Sequence, residues 1–117
     1  MGAIHGDDFG APLVAADKRI CATVLGLTGA VGPTENSKRK INNSVHNIRC
    51  PTLFLMQLED ELFTRKHCLD LFYRLASSDK RMHAHSGGYP AVPVSELDET
   101  LDFLRRQIEK VSDDALV

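Results

Sequence analysis

Histidine, acidic and glycine residues form three short segments whose types and spacing could support chemistry. His83 and His85 alternate along a predicted strand, so their side chains share one face of it. The acidic run Glu59–Glu61 directly follows another predicted strand, and the pair Gly87-Gly88 follows the histidines. A carboxylate in this setting could orient a histidine for general acid–base catalysis, and two histidines could ligate a metal ion.

Each segment also has a purely structural interpretation. Carboxylates that precede a helix are stabilised by its dipole, which accounts for Glu59–Glu61 as solvated loop charges. The sequence fixes no third ligand beside His83 and His85, so we predict no metal site and no cofactor. Gly87-Gly88 is a turn signal, although it would also let a ligand approach the backbone.

The candidate nucleophiles lack the settings that activate them. Cys68 is predicted to lie on the buried face of a helix, and no activating base can be assigned to Cys21 or Cys50. The three cysteines are an odd, widely spaced set without a CxxC motif, which predicts reduced thiols in a cytoplasmic protein. The G-x-S-x-G setting of a nucleophile elbow is absent around Ser37, Ser44, Ser77 and Ser86.

Composition excludes several classes of protein. The 117 residues include 14 Lys plus Arg and 16 Asp plus Glu, a formal charge of −2, which argues against a nucleic-acid-binding face. With 43% hydrophobic and 26% charged residues, the chain can form the core of a single domain, 1–117. Its apolar runs are too short to span a bilayer, and its first eight residues lack the features of a secretory signal.

The hydrophobic periods alternate between strand-like and helix-like segments. The clearest helix is 94–111, because its apolar residues Leu97, Leu101, Leu104, Ile108 and Val111 recur at helical spacing with the charges opposite. Thr64 is a suitable N-cap residue for the preceding predicted helix, 64–76. The predicted strands are 19–27, 51–57 and 80–85, and the predicted helices are 9–16, 36–47 (a thin surface helix), 64–76 and 94–111.

The order of these elements predicts an α/β fold with a short, three-stranded parallel sheet and flanking helices. Sites in such sheets lie at the carboxyl ends of the strands, here the loops 28–35, 58–62 and 86–89. An apolar strand at the edge of a sheet invites pairing with another chain, so we expect a homodimer formed through the exposed sheet edge.

Several sequence segments, called phrases below, together and in order resemble the later half of an α/β-hydrolase. The resemblance is greatest to the dienelactone-hydrolase-like and esterase-like bacterial members of that family. The resemblance covers nearly the whole chain from Phe9 onward, whereas residues 1–8 match poorly. Its specificity rests on the order and spacing of the phrases rather than on any one of them. The phrases are Phe9–Ile20, Ala22–Leu27, Cys50–Leu55, Asp79–Gly88 and Ala91–Pro93.

The resemblance implies roles for particular residues. Asp60 occupies the place of the catalytic acid, although the Val-Pro that normally follows is Phe63-Thr64. The catalytic histidine of the family follows the Gly-Gly pair, where this sequence has Tyr89, whose phenol titrates near about 10 and cannot act as a base at neutral pH. Met1-Gly2 resembles the residues after the nucleophile, which would place that serine before the first residue of a truncated chain.

With two triad groups absent, we expect at most a weak or atypical ester hydrolase that takes a small ester-like ligand. His85, four residues before Tyr89, is the candidate to replace the lost base, and a partner chain would have to supply any serine or cysteine nucleophile. The alternative is a non-catalytic homodimeric module derived from a hydrolase, in which Asp60 and His85 need not converge.

Overall fold

The computed structural model describes residues 15–17, 19–26, 35–88 and 92–115. Within these residues the three strands form one sheet in the order β1-β2-β3, and both pairings are parallel. The predicted parallel sheet with flanking helices is therefore confirmed. The elements are β1 (Thr23–Gly26), α1 (Glu35–Val45), β2 (Thr52–Gln57), α2 (Arg65–Arg74), β3 (Lys80–His85) and α3 (Ser95–Ala115).

Strand β2 lies at the centre of the sheet, and all six of its residues are buried. Its side chains alternate between two apolar clusters, with Phe54 in the cluster under α1 and α2 and Leu53 in the cluster under α3. Pro51 precedes the strand, and its carbonyl accepts a hydrogen bond from the Thr23 amide at 3.0 Å. Proline has no N–H group to donate. Because Pro51 lies just before the strand, it provides a carbonyl acceptor to the β1–β2 pairing, and no donor is lost within β2.

Helices α1 and α2 cover one face of the sheet. The thin helix expected at 36–47 is confirmed as α1, and Ile41 and Val45, one turn apart, are both buried there. The Thr64 hydroxyl accepts a hydrogen bond from the His67 amide, so the predicted N-cap of α2 is confirmed as well. Cys68 lies on the buried face of α2, as its position in the apolar stripe indicates.

Strand β1 is shorter than predicted. It begins at Thr23, because the Asp17 carboxylate accepts a hydrogen bond from the Arg19 amide at 3.0 Å and the Asp17 carbonyl accepts one from Ile20. These local bonds hold a turn where the apolar run alone indicated strand. Arg19 also holds the pKa of Asp17 down to about 2 through side-chain hydrogen bonds. The predicted helix 9–16 and loop 28–35 lie outside the described residues, apart from the helical Ala15 and Ala16 and from Glu35, which begins α1.

Of the five residues of the apolar stripe of α3, only Leu104 is buried, and the other four are exposed. Leu97 and Leu101 are 59% and 49% exposed, whereas Phe103 and Leu104 are buried. The reason lies in β3, whose side chains toward α3 are polar, so the helix turns a mixed face to the sheet instead of its most regular apolar one. Arg81 of β3, for example, lies 5.7 Å from the centroid of the Phe103 ring. No helix among the described residues is long and apolar enough to cross a membrane.

A buried hydroxyl network fixes the amino-terminal edge of the sheet. The Ser77 hydroxyl donates to the Ile48 carbonyl at 3.1 Å and lies 3.1 Å from the Thr52 hydroxyl. These three residues belong to the segment after α1, the first position of β2 and the turn before β3. The small side chain of Ser77 therefore links three separate segments of the chain.

The orientation of α3 predicts unequal costs for two neighbouring leucines. Leu104→Ala should lower the free energy of unfolding by about 2–5 kcal/mol, because it empties a packed site. Leu101→Ala should change it by less than about 0.5 kcal/mol, because that side chain lies half in solvent. Urea denaturation followed by circular dichroism measures both, and equal losses would show that α3 packs by another face.

Candidate active site at the carboxyl edge

Two of the three predicted loops meet at the carboxyl edge of the sheet. The Leu58 amide donates to the His85 carbonyl at 2.8 Å, and the Glu59 amide donates to the Gly87 carbonyl at 3.1 Å. The Glu59 carboxylate in turn accepts a hydrogen bond from the Gly87 amide. These bonds continue the β2–β3 pairing past the strands and hold loops 58–62 and 86–88 together. Residues 28–34 of the third loop lie outside the described part of the chain.

Within the Gly87-Gly88 pair, Gly87 is the position that requires glycine, and Gly88 lies against the acidic loop. Gly87 has φ 118°, a conformation that favours glycine. At Gly88 a Cβ atom would lie 2.8 Å from a carboxylate oxygen of Glu61, so a larger residue would turn aside the end of that exposed side chain, and it would lie 3.4 Å from the Glu59 carbonyl oxygen. The predicted turn is confirmed for the described residues 86–88, and the approach that it allows here is that of a carboxylate.

His83 and His85 share one buried carboxylate, that of Glu96. The Nδ1 atom of His83 lies 2.7 Å from Oε1 of Glu96, and the Nε2 atom of His85 lies 2.9 Å from Oε2. The Glu96 side chain is 2% exposed, whereas the two histidines are 33% and 27% exposed. The prediction that both histidines lie on one face of β3 is confirmed, and that face meets the first turn of α3.

The burial of Glu96 determines which proton each histidine carries. An ionised carboxylate only accepts hydrogen bonds, so His83 donates from Nδ1 and His85 donates from Nε2. These two donors replace the water that a carboxylate loses on burial. The first turn of a helix adds a favourable dipole, and the Glu96 amide donates to the Pro93 carbonyl at 3.0 Å within that turn. In the neutral form of each ring, these bonds leave Nε2 of His83 and Nδ1 of His85 without a proton.

Asp60 lies in the loop after β2 but has a different set of partners. Its Oδ1 atom accepts hydrogen bonds from the amides of Leu62 and Phe63, at 2.7 and 2.9 Å. The carboxylate therefore closes the turn that leads into α2. Asp60 and His85 both stand at the carboxyl edge, yet no hydrogen bond joins them within the described residues. The triad role implied for Asp60 stays a prediction.

Cys68 is near Asp60 but has the properties of a core residue. Burial raises the pKa of its thiol to about 11, and the charge of Asp60 adds to the rise. Its sulfur lies 3.6 Å from the Phe63 carbonyl oxygen. A thiol with such a raised pKa carries little thiolate at neutral pH and is a poor nucleophile. Across the described ranges, no group of three or more His, Cys, Asp or Glu is arranged to hold a metal ion.

Three solved structures resemble this chain closely. They are the native, zinc-bound and polyethylene-glycol-bound structures of a cold-adapted esterase from an Arctic intertidal metagenomic library. Each has a TM-score of 0.78 and 33% sequence identity over 84% of this chain. The fold is esterase-like. The chain spans 43% of the esterase in the native and zinc-bound structures and 41% in the third.

Searches by sequence add no further relative. No family model matches the chain, and no curated protein matches it. The esterase structures therefore carry the comparison, and they support an α/β-hydrolase-like arrangement of three parallel strands with flanking helices. Because the chain spans less than half of the esterase, the activity and the partners of the esterase come to this chain only as proposals.

Glu96 is the site residue that sequence reasoning missed. It lies 13 residues from His83 and 11 from His85, across a loop, so no local motif links the three. The one available signal is its place in the first turn of a long helix, next to Leu97 of the apolar stripe. Asp98 is also acidic and lies in the same turn but is exposed, so this signal does not single out Glu96.

Removing the charge of Glu96 should weaken the fold and disturb the histidine tautomers. In Glu96→Gln the amide offers one acceptor oxygen and turns its NH₂ group toward one of the two histidines. We expect the free energy of unfolding to fall by about 1.5–3 kcal/mol, the cost of a lost charge-assisted hydrogen bond. The exposed Glu99→Gln is the matched control and should change it by less than about 0.5 kcal/mol.

Nitrogen-15 NMR of the histidine rings tests the same arrangement directly. At a pH where both rings are neutral, the wild type should carry the Nδ1–H tautomer at His83 and the Nε2–H tautomer at His85. Identical tautomers at the two positions would contradict the shared-carboxylate geometry.

Proposed function

We propose that the chain is a weak ester hydrolase of the dienelactone-hydrolase and esterase type, acting on small esters. The observation that carries the proposal is His85, a half-buried histidine held by a buried carboxylate at the carboxyl edge of an esterase-like sheet. Parallel α/β sheets bind ligands at this edge. A carboxylate that orients a histidine is the arrangement that general-base catalysis uses.

His85 would act through its unprotonated Nδ1 atom. With Nε2–H bonded to Glu96, Nδ1 accepts a proton from a water molecule as the water oxygen attacks the ester carbonyl. The tetrahedral intermediate then collapses, the alkoxide or phenolate leaves, and the proton passes from His85 to the solvent or to the leaving group. Glu96 is a positioning residue that stabilises the imidazolium. Without a serine nucleophile in an elbow, we expect rates far below those of a complete triad.

The acidic loop limits the substrates that this edge would accept. Glu59, Asp60 and Glu61 stand together there, and the nearest cationic partner of Glu59 is Arg65, with the charged atoms 3.8 Å apart. A cluster of like charges repels anions. Neutral short-chain esters are therefore the favoured class, and esters that carry a carboxylate are disfavoured. Asp60 is retained as the acid that the family resemblance implies.

Hydrolysis of p-nitrophenyl acetate tests the base. His85→Ala should reduce kcat/KM at least tenfold, because the proton acceptor is removed, whereas His83→Ala should retain most of the activity. The two variants are matched, since each removes one hydrogen bond to Glu96 and only His85 ends its strand at the loop edge. Asp60→Asn, which keeps an acceptor oxygen for the loop amides, tests the acid in the same assay.

The esterase assay also has outcomes that reject the proposal. Activity that is absent from the purified wild type, or equal in wild type and His85→Ala, would remove His85 as the base. Equal losses in both histidine variants would assign the effect to the fold around Glu96 rather than to catalysis.

We also infer a second candidate, a non-catalytic homodimer formed through the edge of β1. Within the described residues β1 pairs with β2 alone, although all four of its residues are buried. The Thr23 amide points to β2, so the amides of Val24 and Gly26 point away from β2. A second copy would pair there in antiparallel fashion about a two-fold axis perpendicular to the sheet.

The exposed face of α3 supports a second copy as the occupant of this edge. Such an axis sets two α3 helices antiparallel on the same face of the joined sheets, and the proposal has them meet across it. Their exposed leucines would then be covered. The charges are complementary in this direction, because Asp98 and Asp102 of one helix would lie near Arg106 and Lys110 of the other.

Sedimentation and amide hydrogen exchange test the dimer. We expect a dimer at micromolar concentration, in which the amides of Val24 and Gly26 are protected as strongly as those of Thr23 and Leu25. Leu101→Glu should shift the protein toward monomer, while Leu62→Glu, at another exposed leucine, should not. A monodisperse monomer with fast exchange at Val24 and Gly26 alone would contradict the edge pairing.

A further inference from the structure

Two of the three cysteines stand at the same edge of the sheet, opposite to the candidate active site. Cys21 lies two residues before β1, and Cys50 lies two residues before β2. The register pairs Thr23 with Thr52, and the bond from the Thr23 amide to the Pro51 carbonyl continues the pairing toward the amino ends. Continued by two residues, the same register sets Cys21 beside Cys50.

The surroundings of the two side chains also overlap. Cys50 packs against the cluster that contains Leu25 and Phe54. Ile20, the neighbour of Cys21, packs against the same cluster, and Cys21 and Cys50 line one cleft. Neighbouring strands are about 4.8 Å apart, which lies within the Cα separation that a disulfide spans.

A cleft of about 720 Å³ gives access to both thiols. Cys21, Cys50 and Arg49 are among the residues that bound it. Both cysteines are partly exposed, unlike the buried Cys68. Burial raises the pKa of the Cys50 thiol, and the charge of a nearby Cys21 thiolate contributes to the rise.

We propose that Cys21 and Cys50 are a dithiol modification site that reacts with small disulfides such as oxidised glutathione. One thiolate attacks a glutathione sulfur, which forms a mixed disulfide and releases one glutathione thiolate. The second cysteine attacks the protein sulfur of the mixed disulfide, closes the Cys21–Cys50 bond and releases the other glutathione thiolate. The two protein protons end on the released glutathiones, so the small disulfide is the two-electron oxidant. The exposed Arg49 at the cleft provides a cation for a carboxylate-bearing disulfide.

Intact-mass spectrometry after incubation with oxidised glutathione tests the site. The wild type should lose the mass of two hydrogen atoms, and tryptic mapping should join the peptides of Cys21 and Cys50. Cys21→Ser and Cys50→Ser should each instead gain one glutathionyl group on the remaining cysteine. Cys68→Ser is the matched control and should still form the internal bond.

Three results would overturn the proposal. They are a stable glutathionyl adduct on both Cys21 and Cys50 of the wild type, a disulfide that includes Cys68, and a bond between two copies of the chain. Circular dichroism before and after oxidation verifies that each variant is folded when it reacts. The outcome is independent of the esterase assay, because the two sites occupy opposite edges of the sheet.

Discussion

The burial of β2 on both faces constrains the rest of the molecule. A strand with Leu53 on one side and Phe54 on the other needs helices above and below it, and two parallel neighbours require the chain to cross a face of the sheet between strands. The carboxyl ends of β2 and β3 then emerge at the same edge. The contact between the two loops there, and so the location of the candidate site, follows from strand direction.

The shared carboxylate of Glu96 shows how a polar face can still be part of a core. Beside the apolar residues of β2, strand β3 presents His83 and His85 to α3, and a buried acid between them satisfies two ring nitrogens at once. Such a group contributes more to specificity than to net stability, because desolvation offsets much of what the hydrogen bonds contribute. It constrains the rotation of α3 about its own axis, and of the apolar stripe only Leu104 is buried while the other four residues face outward.

Local patterns predicted much of this fold. Strands β2 and β3, the N-cap at Thr64 and the common face of the two histidines all depend on residues close in sequence, and the esterase-like resemblance agrees with the structures that match. Contacts between distant residues decide the remainder. The periodicity of 94–111 identifies a helix but not the face that packs, since that depends on side chains of β3. The early start predicted for β1 failed because the Asp17 carboxylate holds a competing turn.

The hydroxyl of Ser77 has a consequence for how the protein opens. It joins Ile48, Thr52 and the turn before β3 inside the protein, so separating these segments breaks buried hydrogen bonds, although the Thr52 hydroxyl keeps its bond to the Cys50 carbonyl. The amino-terminal edge should therefore open only as a single cooperative unit, in rare sub-global fluctuations. At the carboxyl edge the links between the two loops involve exposed groups such as Glu59, which water can replace. The amino ends of the strands should therefore open more rarely than the carboxyl edge, and Cys21 and Cys50 stand at the end that opens more rarely.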